Sequence, residues 1–427
     1  MKIADLAGAK VALLGFGREG TASFDAITRR LPRQRLSVLP NQDVAQPASH
    51  ASHPQMDWQP GLVSSEYLSG FDVIVKSPGI SPYLPPLDAL DGPRLTSGSA
   101  LWFAENQAAP TVCITGSKGK STTASLTAHL LKASGRRVEL AGNIGRPLLD
   151  LLDTPEPDHY VIELSSYQTH DFGGAPALGC CLNLYPEHLT WHLSEACYYA
   201  DKLKIFRHAQ RRLINGDQPE LVAAARDLPG IETFHATRAD GISHSPLLGA
   251  HNRLNLAAAL SMLDALAADV PRALSQLQSF KPLPHRLALL GALDGVRFVD
   301  DSIATTPHAT LAALACFEPA KVVLLVGGFD RGLDWQHFAR AVAAAPPKAI
   351  ICSGQNGAMI LEQLRAHAVA GVLDFGLSFD AAVARALELC TSGDTLLLSP
   401  GAPSFDAFSN YQARGARFAQ RVGIAQP

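Results

Sequence analysis

Residues 111–131 read TVCITGSKGKSTTASLTAHLL, and this segment constrains the fold more than any other part of the sequence. Its apolar start, Val112-Cys113-Ile114, predicts a buried strand, and the apolar spacing after Ser121 predicts a helix. A strand, a glycine-rich turn and a helix that begins with Lys-Ser are typical of loops whose backbone N–H groups hold nucleotide phosphates. The chain is therefore expected to contain an α/β domain that binds a nucleotide.

The loop is shorter than the usual phosphate-binding template, G-x-x-x-x-G-K-[ST]. That template places a glycine at position 114, where the chain has Ile114, and residues 116–121 read G-x-x-G-K-S instead. Lys120 is expected to reach the β- and γ-phosphates, and the Ser121 hydroxyl is expected to reach Mg²⁺. A plain glycine-rich turn is the alternative, but the flanking strand and helix favour phosphate binding.

Length and composition narrow the class of protein. A chain of 427 residues exceeds one ordinary core, so two or three domains are expected. The formal net charge of −3 argues against nucleic acid as the main partner, and no apolar run approaches a membrane span. The start, residues 1–5, does not resemble a signal peptide, and the seven cysteines lack metal-type spacing. These features predict a cytoplasmic protein.

A second glycine-rich turn lies near the N-terminus. The predicted strand 9–14 is followed by GFGREG (15–20), a G-x-G-x-x-G pattern at a strand-to-helix turn. A dinucleotide site would also need an acid after the next strand, 36–39, but Pro40-Asn41 stands there. The turn therefore favours a single nucleotide or a diphosphate over NAD. A later strand leads into KSPGI (76–80), another glycine-bearing turn.

Strands alternate with helical patterns along the whole chain, which predicts parallel sheets covered by helices. A second segment begins near Pro110 and a third near PLPHR (282–286). The polar region 42–60 is expected to be a surface excursion.

Three polar residues of the second segment stand where a phosphate site would need them. Glu163 ends an apolar strand, where a carboxylate beside a phosphate loop is a natural Mg²⁺ ligand. His188 follows the next strand, predicted to end at Asn183, and Lys202 lies in a predicted helical stretch. Each of the three, taken alone, has an ordinary alternative as a packed or solvated side chain.

The order of the motifs is more specific than any one of them. Along the chain come ITGSKGKST, GNIGRP (142–147), ELSSYQ (163–168), LNLYPEHL (182–189), DKLKIF (201–206), NGD (215–217), GAHNRLN (249–255), LPHR (283–286), DDSIAT (300–305) and GGFDRG (327–332). This order resembles that of the Mur ligases, the ATP-dependent amino-acid-adding enzymes of peptidoglycan synthesis. SPGISP, ELSSYQ and LSPGAPSFDAFSNYQARG (398–415) most resemble the branch that adds glutamate to UDP-N-acetylmuramoyl-L-alanine.

The resemblance implies an α/β fold of three domains with mainly parallel sheets. A Rossmann-like N-terminal domain (1–104) would bind the UDP part of the substrate, and a central P-loop ATPase domain (105–283) would bind ATP and Mg²⁺. A Rossmann-like C-terminal domain (284–427) would bind the amino acid. The implied partners are UDP-N-acetylmuramoyl-L-alanine and glutamate, and the implied enzyme is a monomer that binds neither nucleic acid nor membrane.

The resemblance also implies the site residues. The catalytic positions are Lys120, Glu163, His188 and Lys202, with Ser121 and Glu163 holding one Mg²⁺ and His188 and a carbamylated Lys202 holding the second. The ATP-binding positions are Gly116, Ser117, Lys118, Gly119, Lys120, Ser121, Thr122, Asn252, Asn255, Arg286 and Asp301. The substrate-binding positions are Gly17, Arg18, Ser77, Pro78, Gly79, Asn143, Ser165, Gln168, Thr305, Arg331, Ser404, Phe405 and Tyr411.

The chain departs from the typical glutamate ligase at several positions. Residues 39–41 lack the acid usual on the uracil side, and Lys118 replaces a common asparagine and would either touch phosphate or face solvent. The motifs D-S-K-A-T-N and S-P-A-x-A-S read DSIATT (301–306) and SPGAPS (399–404) here. Both of these changes lie near the incoming amino acid. The family has a branch that adds L-glutamate, which the GFGREG turn also resembles, and we favour L-glutamate over D-glutamate.

Three alternatives remain open at this stage. The D-glutamate ligase is the nearest, and folylpolyglutamate synthase also uses a short phosphate loop but lacks the N-terminal UDP-binding domain. A non-catalytic nucleotide-binding regulator would be expected to lose the catalytic residues. The chain retains Lys120, Glu163, His188 and Lys202, which favours a ligase.

Overall fold

The computed structural model describes residues 1–40, 45–61, 63–92, 94–242 and 244–424. Within these ranges the chain forms three sheets, and it divides into two compact units. The first unit comprises Met1–His244 and Leu254–Ser279, and it contains two of the sheets. The second unit comprises Ser245–Arg253 and Phe280–Pro427, and it contains the third.

The first sheet is parallel and has the strand order β3-β2-β1-β4-β5. Its strands are β1 (Val11–Leu14), β2 (Leu36–Leu39), β3 (Met56–Trp58), β4 (Val73–Lys76) and β5 (Arg94–Thr96). Its helices are α1 (Arg18–Arg30), α2 (Ser65–Leu68) and α3 (Gly98–Glu105). All four residues of both β1 and β4 are buried, as expected for central strands covered on two faces.

The polar segment 42–60, which was predicted to be a surface excursion, contributes strand β3, so that prediction is wrong for Met56–Trp58. The ring of Phe16 meets the ring of Trp58 edge-on, with centroids 5.5 Å apart, and Phe24 meets His53 in the same way at 4.8 Å. Although this segment is polar in composition, its Trp58 and His53 side chains pack against aromatic rings of the first sheet's α1 region. Residues 41–44, which include Asn41 on the expected uracil side, lie outside the described residues.

The second sheet is also parallel, in the order β11-β10-β9-β6-β8-β7. Its strands are β6 (Thr111–Thr115), β7 (Val138–Gly142), β8 (His159–Glu163), β9 (Leu178–Cys181), β10 (Arg211–Asn215) and β11 (Ile231–Phe234). Its helices are α4 (Lys120–Ala133), α5 (Ser166–Thr169), α6 (Leu189–His192), α7 (Glu195–Leu203), α8 (Pro219–Ala225), α9 (Ala250–Ala265) and α10 (Val270–Leu274). The phosphate-loop segment lies between β6 and α4, as predicted.

Strand β9 ends at Cys181 and not at the predicted Asn183. The Asn183 side chain turns to the phosphate loop, where its Oδ1 accepts a hydrogen bond from the Lys118 N–H at 2.8 Å. Its Nδ2 donates to the Lys118 carbonyl at 3.1 Å. Asn183 therefore lies beyond the end of β9, and its side chain supports the phosphate loop.

The first and second sheets share one apolar core. Trp102 in α3 is fully buried, and its ring meets the ring of Tyr160 in β8 edge-on at a centroid separation of 5.2 Å. Leu148, Leu149 and Leu151, in the turn after β7, belong to the same core. The first unit therefore includes most of what the sequence assigns to the first two domains.

The third sheet has the order β12-β13-β17-β14-β15-β16. Its strands are β12 (Ala288–Leu293), β13 (Val296–Asp300), β14 (Val322–Val326), β15 (Ala349–Cys352), β16 (Val372–Phe375) and β17 (Thr395–Leu398). Its helices are α11 (Pro307–Leu314), α12 (Gln336–Ala344), α13 (Gly357–Ala366), α14 (Phe379–Leu389) and α15 (Tyr411–Arg421). Strand β12 pairs antiparallel with β13 through Asp294-Gly295, whose φ values are +52° and +78°. An Asp-Gly pair between apolar runs is a hairpin signal.

The predicted α/β class with mainly parallel sheets is confirmed. Within the described residues, no helix is both long and apolar enough to cross a membrane.

The buried ring of Trp102 gives a test of the shared core of the first unit. Trp102→Ala should lower the free energy of unfolding by ~3–5 kcal/mol, because it leaves a large cavity where the two sheets meet. Val222→Ala, at a partly exposed position on α8, should change it by no more than ~0.5 kcal/mol. Urea unfolding followed by tryptophan fluorescence and circular dichroism measures both, and equal effects would contradict the shared core.

Candidate active site

Two glycines shape the turn between β6 and α4. Gly116 and Gly119 have φ values of +150° and +83°, which side-chain-bearing residues rarely adopt. A Cβ atom at Gly119 would lie 2.4 Å from Asn255 Oδ1, and one at Gly116 would lie 3.0 Å from Leu182 Cβ. The backbone can therefore fold tightly over the start of α4, where N–H groups and the helix dipole favour an anion.

The polar side chains of this loop are held by the protein. Lys120 Nζ donates to the carbonyls of Gly116 at 2.9 Å and Ser117 at 3.0 Å. The Ser117 hydroxyl is within hydrogen-bond distance of the Tyr198 hydroxyl at 2.7 Å. Lys118 forms an ion pair with Glu187, a contact that neither sequence alternative for this lysine included. Ser121 and Thr122 lie in the first turn of α4.

Glu163 lies at the end of β8 and is fully buried. Its Oε1 accepts a hydrogen bond from Asn143 Nδ2 at 2.8 Å, and its Oε2 has no hydrogen-bond partner in the described part of the chain. Leaving a buried carboxylate oxygen unpaired is costly, so this atom is suited to a cation. With the Ser121 hydroxyl it offers the oxygen ligands that Mg²⁺ prefers.

Lys202 is fully buried in α7, and its Nζ donates to the Gly116 carbonyl at 2.7 Å. Burial, reinforced by the nearby Lys120 ammonium, lowers the pKa of Lys202 to about 7. A neutral amine is thus accessible near neutral pH, and this is the form that reacts with carbon dioxide. Burial also lowers the pKa of His188, which favours the neutral imidazole that binds metals.

The predicted metal set contains only two side chains of the His, Cys, Asp and Glu types, Glu163 and His188. Among the described residues, no group of three or more His, Cys, Asp or Glu side chains is arranged to hold a metal ion. The unpaired Oε2 of Glu163 fits Mg²⁺. Lys202 would have to be carbamylated before it could act as an oxygen ligand.

The loops after β1 and β4 meet at the carboxyl end of the first sheet. The Ser77 hydroxyl donates to the Gly15 carbonyl at 3.2 Å, and a Cβ at Gly20 would lie 2.3 Å from the same carbonyl oxygen. Pro78 and Gly79 continue the β4 loop, and Gly17 caps α1. The predicted UDP-side positions therefore lie together.

Three predicted substrate-contact residues also have a clear structural role. The Arg18 guanidinium donates to the carbonyls of Gly145 at 3.1 Å and Asn143 at 3.2 Å, and so joins the first sheet to the loop after β7. Ser165 and Gln168 form a capping box on α5, in which the Ser165 N–H donates to Gln168 Oε1 at 3.0 Å. Their contacts with substrate stay predictions.

The predicted adenine-side residues lie on α9. Asn255 Oδ1 accepts a hydrogen bond from the Thr123 hydroxyl at 3.2 Å, beside Gly119. Asn252 Nδ2 donates to the Leu248 carbonyl at 2.7 Å. Asn255, a predicted ATP contact, therefore also packs against the end of the phosphate loop and the first turns of α4.

The second unit carries its predicted residues on loops that follow its parallel strands. Strands β14 and β17 are neighbours, and the helices that follow them, α12 and α15, belong to the cores on opposite faces of the sheet. Ligands of such sheets bind at the carboxyl ends of strands where the connections diverge in this way. Residues on these loops and on the neighbouring segments are Arg286, Asp301, Thr305, Arg331, Ser404, Phe405 and Tyr411.

Asp301 is the most constrained of these residues. Its Oδ2 accepts a hydrogen bond from the Ser399 hydroxyl at 2.8 Å, and its Oδ1 accepts one from the Leu287 N–H at 3.2 Å. Burial raises the pKa of Asp301 to about 7. A cavity of about 610 Å³ opens beside the loops and is lined in part by Gly328, Phe405 and Arg414.

Sequence reasoning missed a buried network around Asp201 in the first unit. Its carboxylate receives hydrogen bonds from Tyr83, His170, His192 and Lys204. Lys204 is a local i,i+3 partner of Asp201, but Tyr83, His170 and His192 come from separate segments that no local pattern links. The available signals were the position of Asp201 next to Lys202 and its i,i+3 spacing from Lys204.

Comparison with known proteins agrees with this architecture. The Mur ligase middle domain family matches residues 114–234, and the family described as Mur ligase, glutamate ligase domain matches residues 285–401. The UDP-N-acetylmuramoyl-L-alanine–L-glutamate ligase of Xanthomonas campestris is 44% identical over 99% of this chain and 97% of its own length. The Micromonospora sp. protein of the same name is 38% identical over 99% of this chain and 98% of its own length.

Solved structures share the fold at low sequence identity. The UDP-N-acetylmuramate-alanine ligase MurC of Thermotoga maritima is 16% identical, covers 97% of this chain and 99% of its own, and has a TM-score of 0.61. MurF ligase from the same organism, in complex with ADP, is 16% identical, covers 99% of this chain and 96% of its own, and has a TM-score of 0.60.

A phosphate loop on a parallel sheet, in a chain that forms two further α/β sheets, defines a P-loop α/β protein. Within that class, the chain belongs to the Mur ligase family. The interpretation of the protein as a ligase is thereby confirmed.

The close approach at Gly119 tests the phosphate loop. Gly119→Ala should weaken ATP binding by ~10-fold or more, because the added Cβ must displace Asn255 or deform the loop that holds the phosphates. Gly8→Ala is the matched control, since Gly8 has a φ of +76° but nothing within 4 Å of the added Cβ. Calorimetric titration with ATP distinguishes them, and equal affinities would contradict the loop assignment.

Proposed function

We propose that the enzyme joins L-glutamate to the alanine carboxylate of UDP-N-acetylmuramoyl-L-alanine and converts ATP to ADP and phosphate. The observation that carries the proposal is the 44% identity, over nearly the full length of both chains, to a protein whose name specifies L-glutamate. The altered motifs at 301–306 and 399–404 support it, because a change of substrate stereochemistry requires a changed amino-acid pocket.

The chemistry follows from the poor reactivity of a carboxylate. The alanine carboxylate oxygen attacks the γ-phosphorus of ATP, the bond to ADP breaks, and an acyl phosphate forms. The neutral glutamate amine attacks its carbonyl carbon, and the tetrahedral intermediate collapses as the carbon–oxygen bond to phosphate breaks. The nitrogen then loses a proton and the amide remains. Negative charge builds on oxygen atoms during phosphoryl transfer and during amine attack, so electrostatic stabilisation is the main contribution of the protein.

In this proposal the phosphate loop binds ATP. Backbone N–H groups of residues 116–122 hold the phosphates, and Lys120 swings from the loop carbonyls to the transferring phosphoryl group. Removing one such electrostatic contact typically costs ~2.7–4 kcal/mol of barrier. Asn252, Asn255, Arg286 and Asp301 are the other proposed ATP contacts.

Bound Mg²⁺ would neutralise the negative charge that builds on the phosphate oxygens. Ser121 and Glu163 would hold one ion, which the unpaired Glu163 Oε2 supports. His188 and carbamylated Lys202 would hold the second, which the low pKa of Lys202 supports.

The remaining positions are divided between the two organic substrates. Gly17, Arg18 and residues 77–79 are proposed to bind the UDP part, and Asn143, Ser165 and Gln168 the muramoyl-alanine part. The proposed contacts of glutamate are Thr305, Arg331, Ser404, Phe405 and Tyr411. The D-glutamate alternative uses the same loops and differs only in the amino-acid pocket.

Phosphate release from ATP tests the reaction and its stereochemistry together. With Mg²⁺ and UDP-N-acetylmuramoyl-L-alanine, the purified enzyme should release phosphate at least ~10-fold faster with L-glutamate than with D-glutamate. Turnover with D-glutamate alone would overturn the stereochemical assignment. No turnover with either enantiomer would overturn the ligase reaction.

Removal of Lys202 tests the carbamate. Lys202→Ala should lower kcat by ~10²–10³-fold, because a charged group of the site is lost. Formate or acetate should restore part of the activity by supplying a carboxylate in the vacated space. Lys132→Ala, at an exposed position late in α4, is the control and should keep wild-type activity. Full activity in Lys202→Ala would refute the assignment.

A further inference from the structure

The carboxylate of Asp201 is buried and takes no part in the proposed chemistry. Asp201 is only 1% exposed to solvent. Its Oδ1 accepts from Lys204 Nζ at 2.7 Å and His170 Nδ1 at 3.1 Å, and its Oδ2 accepts from His192 Nδ1 at 2.8 Å. The Tyr83 hydroxyl donates to the same two oxygens at 3.3 and 3.1 Å. These five residues are termed the Asp201 hub.

The hub joins the two sheets of the first unit. Tyr83 belongs to the loop after β4 of the first sheet, whereas its partners lie at or near α5, α6 and α7 of the second. The same loop makes two further bonds across this boundary. The Ser81 hydroxyl donates to the Trp191 carbonyl at 2.6 Å, and Trp191 Nε1 donates to the Gly79 carbonyl at 3.2 Å.

A buried cation adds to this junction. Lys76, the last residue of β4, is 2% exposed, and its Nζ lies 5.5 Å from the centroid of the Trp191 ring. The Nζ atom has no hydrogen-bond partner among the described residues. Asp171 and Asp201 are the acids whose charges act on it, so opposite charges from the second sheet offset the cost of its burial.

The hub also reaches the elements that carry proposed site residues. His192 Nε2 is 3.0 Å from the Ser166 hydroxyl, in the short helix between Ser165 and Gln168. Asp201 directly precedes Lys202 in α7. One network therefore connects the loop that carries residues 77–79 with the helices that carry the muramoyl-alanine contacts and the proposed metal ligand.

This connection has a consequence for binding. A ligand that contacts both sheets binds more tightly when the two halves of its site are arranged beforehand, because it does not have to order them. A ligand that contacts only the loops of the first sheet does not benefit. A purely structural role for the hub would affect both ligands alike.

We propose that Asp201 is a positioning residue for the UDP-linked substrate, and that it acts through Tyr83 to hold the loop after β4 against α5 and α7. The inference rests on the proposed function, since UDP-N-acetylmuramoyl-L-alanine is the ligand that spans the two sheets. UDP alone, confined to the first sheet, is the ligand that does not span them.

Tyr83→Phe tests the inference with the smallest change. It removes the hydroxyl and keeps the ring, which packs edge-on against His170 at 5.0 Å and Trp191 at 5.8 Å. By calorimetry without ATP, the variant should bind UDP-N-acetylmuramoyl-L-alanine ~10-fold more weakly than wild type and should bind UDP within ~2-fold of wild type. Its KM for the full substrate should rise while kcat stays within ~3-fold.

Tyr67→Phe is the matched control. Tyr67 is a partly exposed residue of α2 whose hydroxyl donates to Gln59, so its loss should leave both affinities unchanged. Asp201→Asn should reproduce the selective loss seen with Tyr83→Phe, because the amide keeps the shape but weakens the charge-assisted bonds.

The outcomes separate the inference from the proposed function. Equal weakening of both ligands in Tyr83→Phe, or no weakening of either, overturns the positioning role even when the wild-type enzyme is fully active. A wild-type enzyme that binds the full substrate but releases no phosphate with either glutamate overturns the ligase reaction. In that case the two binding constants still decide the role of the hub.

Discussion

The carbonyl oxygen of Gly116 accepts hydrogen bonds from two lysines, Lys120 at 2.9 Å and Lys202 at 2.7 Å, and the architecture of the nucleotide site depends on this contact. It exists because Gly116 holds a φ that only glycine adopts readily. One lysine opens the helix after the loop, and the other lies far along the chain in α7. Burial, together with the proximity of Lys120, lowers the pKa of Lys202, which supports the proposed carbamylation.

A small number of side-chain contacts joins the first two sheets. Arg18 reaches the loop after β7, Trp102 packs on Tyr160, and Tyr83 reaches Asp201. Each contact joins an element of one sheet to an element of the other. A substrate too long for either sheet alone can then meet a site whose halves are already aligned, which reduces the ordering cost of binding.

Much of the fold and part of the site could be predicted because their signals are local. The phosphate loop, the α/β class and the strand end at Glu163 depend on short patterns of apolar residues and glycine. Strand β3 could not be predicted in this way, because it depends on pairing with β2 and on contact between Trp58 and the distant ring of Phe16. The Asp201 hub was missed for a related reason, since Tyr83, His170 and His192 come from separate segments and meet Asp201 only in space. The ion pair of Lys118 with Glu187 likewise has no local signature.

By itself, the sequence determined the type of loop, the order of strands and helices, and the family to which the chain belongs, because each follows from residue types at fixed spacing. The tertiary structure alone decided that Glu163 keeps one oxygen unpaired, that Arg18 and Gln168 bond to the protein, and that Asp201 joins two sheets. Hydrogen bonding, desolvation and charge interactions depend on distance in space, and only the folded chain brings these groups together.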